Sequence, residues 1–111
     1  LAARETVIAN EREALIRLLA LHERATRQLN DQPTDVAPYV REFVGKRLIP
    51  LATVERALQS PASNYVADPA AIREGTRRMH DFQIRQGSLV KPVDLSALFN
   101  DTLYEAATDG D

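Results

Sequence analysis

The stretch from Asn10 to Asn30 constrains this chain more than any other, because it reads as a single amphipathic helix. Leu15, Leu18, Leu19, His22, Ala25 and Leu29 recur at three- and four-residue spacing, while Arg12, Arg17, Arg24 and Arg27 fall on the opposite side. That spacing brings the first set onto one face of a 3.6-residue helix and leaves the arginines in water. Asn10 followed by Glu13 has the form of a capping box, in which the Asn side chain accepts an orphan backbone N–H and the Glu reaches back. The predicted helix therefore starts near Asn10.

Proline and aspartate punctuate the rest of the chain. Gln32-Pro33-Thr34-Asp35 breaks the first helix and opens a second, with Val36, Tyr39, Val40, Phe43 and Val44 on its apolar face and Gly45 at its end. Pro38 lies early in that span: either its missing N–H is one of the first-turn orphans, or, if the helix begins at Pro33, Pro38 should bend it. Pro50 stands at the first position of a short third helix with Leu51, Val54 and Leu58 inward, stopped by Ser60-Pro61. The run from Ser60 to Ala67 has no period and reads as a loop, with Tyr65 and Val66 docked on the core. Asp68-Pro69 opens a fourth helix with Ile72, Thr76, Met79 and Phe82 buried, closed by Gln86-Gly87. After an extended passage around Pro92, Asp94 caps a last helix with Leu95, Leu98, Phe99 and Leu103 inward, and 108–111 should fray. Leu1-Ala2-Ala3 has the form of a strand stub. The predicted fold class is all-α, about five helices in one segment over 1–111.

Composition agrees. With 44% hydrophobic and 27% charged residues the chain has the balance of a globular protein. Aromatics are 5% and tryptophan is absent, so the core is aliphatic and suits helix-on-helix packing. A net charge of −2, from 14 basic and 16 acidic residues spread along the chain, provides no positive field for nucleic acid or an acidic membrane. Zero cysteines exclude disulfides and thiolate metal sites. No apolar run is long enough for a membrane span, and the N-terminus lacks the form of a signal peptide. A chain of 111 residues suffices for one domain and is too short for two lobes with a cleft between them. Beginning with Leu, it reads as cut from something longer.

Chemistry-bearing residues are sparse. His22 and His80 have no second ligand at zinc spacing; His22 reads as a half-buried helix-face residue and His80 as an exposed one, with Asp81 pointing about 100° away from it. Ser60, Ser63, Ser88 and Ser96 lie outside any nucleophile elbow, and the glycines form no phosphate loop. Glu11, Glu13, Glu23, Asp31 and Asp35 suit caps and solvated faces. Arg73, Arg77, Arg78 and Arg85 make the densest basic stretch, and the interleaved Glu74 and Asp81 point to intrahelical pairing on a solvated face. No residue is assigned a catalytic, ligand-contacting or metal-binding role, no cofactor is expected, and the chain is read as not an enzyme.

Taken in order, the segments resemble the C-terminal region of the nitrate/sulfonate/taurine-type substrate-binding proteins of ABC transporters. Ala3-Arg4-Glu5 with Asn10-Glu11 is similar to the end of that family's returning strand and the start of its long helix. Ala25-Thr26 and Leu29-Asn30-Asp31-Gln32-Pro33 resemble the stretch into the next helix. Tyr65-Val66-Ala67-Asp68-Pro69-Ala70-Ala71-Ile72, Met79-His80-Asp81-Phe82-Gln83, Gly87-Ser88-Leu89, Lys91-Pro92-Val93-Asp94-Leu95-Ser96 and Leu98-Phe99-Asn100 resemble its closing helices in order and spacing. Pro38 departs from the pattern.

The resemblance implies a role as supporting helices on the first lobe of a two-lobed α/β binding protein, periplasmic or otherwise exported. The implied partners are the remainder of that protein and, through it, a permease and a small anion such as nitrate, a sulfonate or taurine. Two other readings stand beside it. One is a free-standing helical interaction module, with possible self-association through an exposed apolar face. The other is a segment of an enzyme similar to the pyrimidine-forming thiamine biosynthesis proteins, which resemble the same fold.

Overall fold

Several helix ends in this chain follow local chemistry, and the resulting architecture is all-α. A computed structural model describes residues 1–109. Along the chain run α1 (Glu5–Asn10), α2 (Arg12–Asp31), α3 (Pro33–Val44), α4 (Leu51–Leu58), a 3-10 turn (Pro69–Ile72), α5 (Arg73–Gln86), α6 (Leu95–Leu98) and α7 (Thr102–Thr108). No strand occurs among the described residues, and Leu1-Ala2-Ala3, expected as a strand stub, is irregular and exposed. A strand needs a ladder partner for its N–H and C=O groups, and none is offered there.

The first helix differs from expectation. Asn10 is the last residue of α1 with helical backbone, so it cannot be the N-cap of a capping box, which requires an extended one. Glu11 takes the junction instead. Its backbone leaves the helical region at φ −123° and ψ 31°, its N–H donates to the Val7 carbonyl, and its own carbonyl accepts the Leu15 N–H that begins α2. From Asn10 to Glu13 the residues are all polar, so no buried side chain holds one continuous rod together.

Packing divides the chain into two compact units, Leu1–Ala20 with Asp68–Asp111, and Leu21–Ala67. In the second unit α3 and α4 pack against each other, with Ala37 wholly buried and Val54 at 6% exposure. Leu51 and Leu58 flank Val54 on the inward face as the spacing predicts, and Pro50 stands one place earlier than expected, as the N-cap. Gln59 Nε2 donates to Thr34 Oγ1 at 3.1 Å, and Arg41 donates to the Ile49 carbonyl (3.1 Å) and the Lys46 carbonyl (3.0 Å) to set the connecting loop. Pro38 lies within α3, where its ring removes the N–H that would reach the Thr34 carbonyl. Tyr65 is half-buried, its carbonyl accepting from Asn30 Nδ2 at 2.9 Å, while Val66, expected on the core, is exposed.

The apolar stripes are narrower than their periodicity suggests. On α2 the covered side comprises Leu15, Ile16, Leu19, Ala20, His22, Glu23, Thr26 and Leu29, and Leu18 and Ala25 are exposed. Buried Thr26 satisfies its hydroxyl by donating to the His22 carbonyl at 2.8 Å. On α3 the inward side is Val36, Ala37, Val40 and Arg41, leaving Tyr39 75% and Phe43 94% exposed, with Val44 exposed beside them. Ile72, Met79 and Phe82 of the fourth predicted helix are exposed as well.

In the first unit Asp68 acts as the expected cap, its Oδ1 accepting the Ala70 N–H at 2.8 Å, although it opens the 3-10 turn that leads into α5. Gly87 closes α5 in the left-handed region (φ 74°), its N–H donating to Ile84 and those of Ser88 and Leu89 to Gln83. The last predicted helix is broken. Asp94 caps α6 through Ser96, but Phe99 is extended (φ −108°, ψ 133°) and α7 starts afresh, with Leu103 buried and Leu98 exposed. Of the segment expected to fray, Thr108 is the last residue of α7 and Asp109 its C-cap; residues 110 and 111 lie outside those described.

Candidate functional site

A concave feature of the first unit is an open groove of about 600 Å³ between α5 and the segment that carries Val93, Leu95 and Leu98. On the α5 side its large exposed apolar lining residues are Ile72, at the end of the 3-10 turn, and Met79 of α5. Gly75 lies between them with open space above its Cα, so no side chain fills the middle. Glu74, Arg78, His80 and Gln83 supply the polar part of the lining.

Arg77 and Arg78 are paired within α5, as the sequence spacing predicts, whereas Arg85 is not paired with Asp81. Arg77 donates to Glu74 at 2.7 and 3.0 Å and to Asp81 at 3.2 Å, and Arg78 Nε lies 3.9 Å from Glu74. The hydrogen bonds from Arg77 hold the Glu74 carboxyl below the usual glutamate range. Arg73 departs from this pattern. Its guanidinium turns away from the helix to pair with Asp101 and to lie over the Phe99 ring.

His80, expected to be exposed, is largely covered, with 15% of its side chain accessible. Both ring nitrogens have partners: Nδ1 lies 3.1 Å from Asp81 Oδ1, and Nε2 accepts the Val93 N–H at 3.1 Å. Asp81 thus reaches its neighbour despite the 100° step between adjacent helix positions, because the carboxylate swings back along the surface while its second oxygen takes Arg77. Nε2 is therefore not presented to the groove as a base or ligand.

Hydroxyls near these elements serve local turns. Ser63 donates to the Ala57 carbonyl at 2.6 Å, Ser88 to Gln83, Ser96 to Asp94 at 2.6 Å, and Ser60 accepts the Ala62 N–H. Thr76 in the groove lining donates to the Ile72 carbonyl. His22 is half-buried as expected, with Nδ1 enclosed and without a hydrogen-bond partner. Among the described residues no group of three or more His, Cys, Asp or Glu side chains is placed to hold a metal ion, and no helix is long and apolar enough to cross a membrane. Glu11 caps α1, Glu23 pairs with Arg27 at 2.9 Å, and Glu13, Asp31 and Asp35 are exposed at or near helix ends.

Two arrangements escape a reading of the sequence, the Arg73–Asp101 pair and the His80–Val93 bond. Their partners are 28 and 13 residues apart, and no local pattern joins them. The groove therefore offers an apolar, charge-rimmed surface suited to contact with other protein or an apolar group. The chain matches no protein-family model, no curated protein and no solved structure.

Proposed function

We propose that this chain is a supporting helical segment of a two-lobed solute-binding protein of the nitrate/sulfonate/taurine type, and that its role is to complete a lobe rather than to contact solute. The observation that carries the reading is the mismatch between patterned and covered apolar surface. Phe43, Tyr39 and Leu48 of one unit, and Met79, Phe82 and Leu98 of the other, are exposed although most recur at helical spacing. Burying a side chain of this size stabilises a protein by about 1.5–3 kcal/mol, so faces of this kind are where further protein contributes most. The order of segments from Ala25-Thr26 to Leu98-Phe99-Asn100 supports the particular family. In such a protein the solute would sit in a cleft made by other segments, and the helices here would back the lobe.

Calorimetry tests the division of labour. The isolated chain is expected to give no binding heat with nitrate, taurine or short alkanesulfonates. A chimera in which it replaces the C-terminal helices of a taurine-binding protein is expected to bind taurine. Tight stoichiometric binding by the chain alone, or a folded chimera without affinity, overturns the reading. Sedimentation separates it from a free-standing interaction module: a monodisperse monomer with cooperative melting favours a self-sufficient domain, and association that persists at high salt favours uncovered apolar packing faces.

A further inference from the structure

His80 ties a backbone segment to α5 whatever family the chain belongs to. Its Nε2 accepts a backbone hydrogen bond from Val93, which requires a lone pair there and places the ring proton on Nδ1, facing Asp81. The stretch before Val93 has few other ties. Ser88 and Leu89 are fastened to Gln83 at the end of α5, Asp94 is fastened to Ser96 at the start of α6, and Pro92 between them has no N–H to donate. Val93 and Leu95 line the groove together with Ile72 and Met79.

We propose that His80 is a proton-sensitive latch that holds the segment around Val93 against α5, so that protonating the ring releases this segment from the helix. A proton arriving at Nε2 turns the acceptor into a donor, and two N–H groups then face each other across the same 3.1 Å gap. Asp81 stays at Nδ1 and stabilises the imidazolium, so the ring remains on α5 and the Val93 side gives way. The other charged groups leave this exchange in place. On the facing segment Lys91 and Asp94 are exposed, and the Asp94 carboxylate is engaged by Ser96. On α5 Glu74 and Arg78 share the groove lining, with Glu74 held by Arg77, which also engages the second oxygen of Asp81 and leaves Oδ1 to His80.

Nuclear magnetic resonance of the ¹⁵N-labelled full chain tests this over roughly pH 5 to 8, where histidines ordinarily change charge. At the upper end, ring nitrogen correlations are expected to report the Nδ1–H tautomer. As pH falls, the Val93 amide resonance should move with the His80 ring protons, and its exchange protection should drop about fivefold, the scale of one neutral hydrogen bond. In His80→Gln, which keeps an acceptor that does not titrate, the Val93 amide should stay constant. A Val93 amide that is invariant while the wild-type ring titrates overturns the proposal, as does an Nε2–H tautomer at high pH; neither observation depends on the variant folding.

Discussion

The guanidinium carbon of Arg73 lies 4.8 Å from the centroid of the Phe99 ring. The same guanidinium donates through Nη2 to Asp101, so one side chain at the first position of α5 joins the end of α6 to the approach to α7. Planarity makes both contacts possible at once, since the face stacks on the ring while the edge meets the carboxylate. The second oxygen of Asp101 is enclosed and has no hydrogen-bond partner, which makes the carboxylate dependent on Arg73.

Arg73→Ala is therefore expected to lower stability by roughly 1–2 kcal/mol, the sum of a partly exposed cation–π contact and a partly exposed ion pair. Arg73→Lys should recover the charge and little of the stack. Urea denaturation of the two variants measures the difference, and equal midpoints for Arg73→Ala and the parent would show that the clamp contributes nothing.

Gly45 and Gly87 separate two costs of a positive φ. Gly87 sits at φ 74° with open space around the missing Cβ, so Gly87→Ala should cost about 1 kcal/mol of backbone strain alone. Gly45 sits at φ 120° and an added Cβ would meet Leu48 Cδ1 at 3.2 Å. Gly45→Ala is expected to cost more, about 2–3 kcal/mol, because that backbone is nearly closed to other residues and the neighbour must also shift. Thermal melting of the pair ranks them.

The second unit has little buried volume to lose. Val54→Ala should destabilise it by roughly 1–3 kcal/mol through lost transfer and an unfilled gap, and Ala37→Leu by a similar amount through overpacking against α4. Phe43→Ser, at a side chain 94% exposed, should leave the melting temperature of the dilute chain almost unchanged. Differential scanning calorimetry distinguishes the three.

Asp94 gives a pH dependence whose sign is set by its partners. The hydrogen bonds from the Ser96 hydroxyl and N–H hold its carboxyl below the usual aspartate value. A carboxyl lowered on folding contributes stability that is fully present above the unfolded value of about 3.9 and is lost as pH falls through the folded one. The cap on α6 is therefore expected to persist at neutral pH and to release in acid below about pH 4. The Ser96 amide shift reports this directly, and Asp94→Asn, which keeps a capping oxygen, should abolish the titration.

Local chemistry made the helix ends legible. Pro33, Gly45, Asp68-Pro69, Gly87 and Asp94 all act at or within one residue of the positions their backbone preferences predict, because capping is settled by a few adjacent atoms. Periodicity was less informative about burial. It says that Ile72, Met79 and Phe82, or Tyr39 and Phe43, recur on one side of a helix, and it is silent on whether another element covers that side. The break at Glu11 and the extension at Phe99 had no glycine or proline to announce them. The groove was hidden for the same reason, since part of its lining is held by Val93 and His80 across a turn whose path no residue type dictates.

Arg41 fastens the corner between α3 and α4 from both sides of its own backbone, its carbonyl receiving the Gly45 N–H and its side chain reaching Lys46 and Ile49. The hydrogen bonds that shape the corner thereby lie within residues 41–49. A loop of that kind is portable: grafted between two other helices it would bring its own angle, whereas a single residue inserted between 42 and 45 would shift every acceptor out of the guanidinium's reach and erase it.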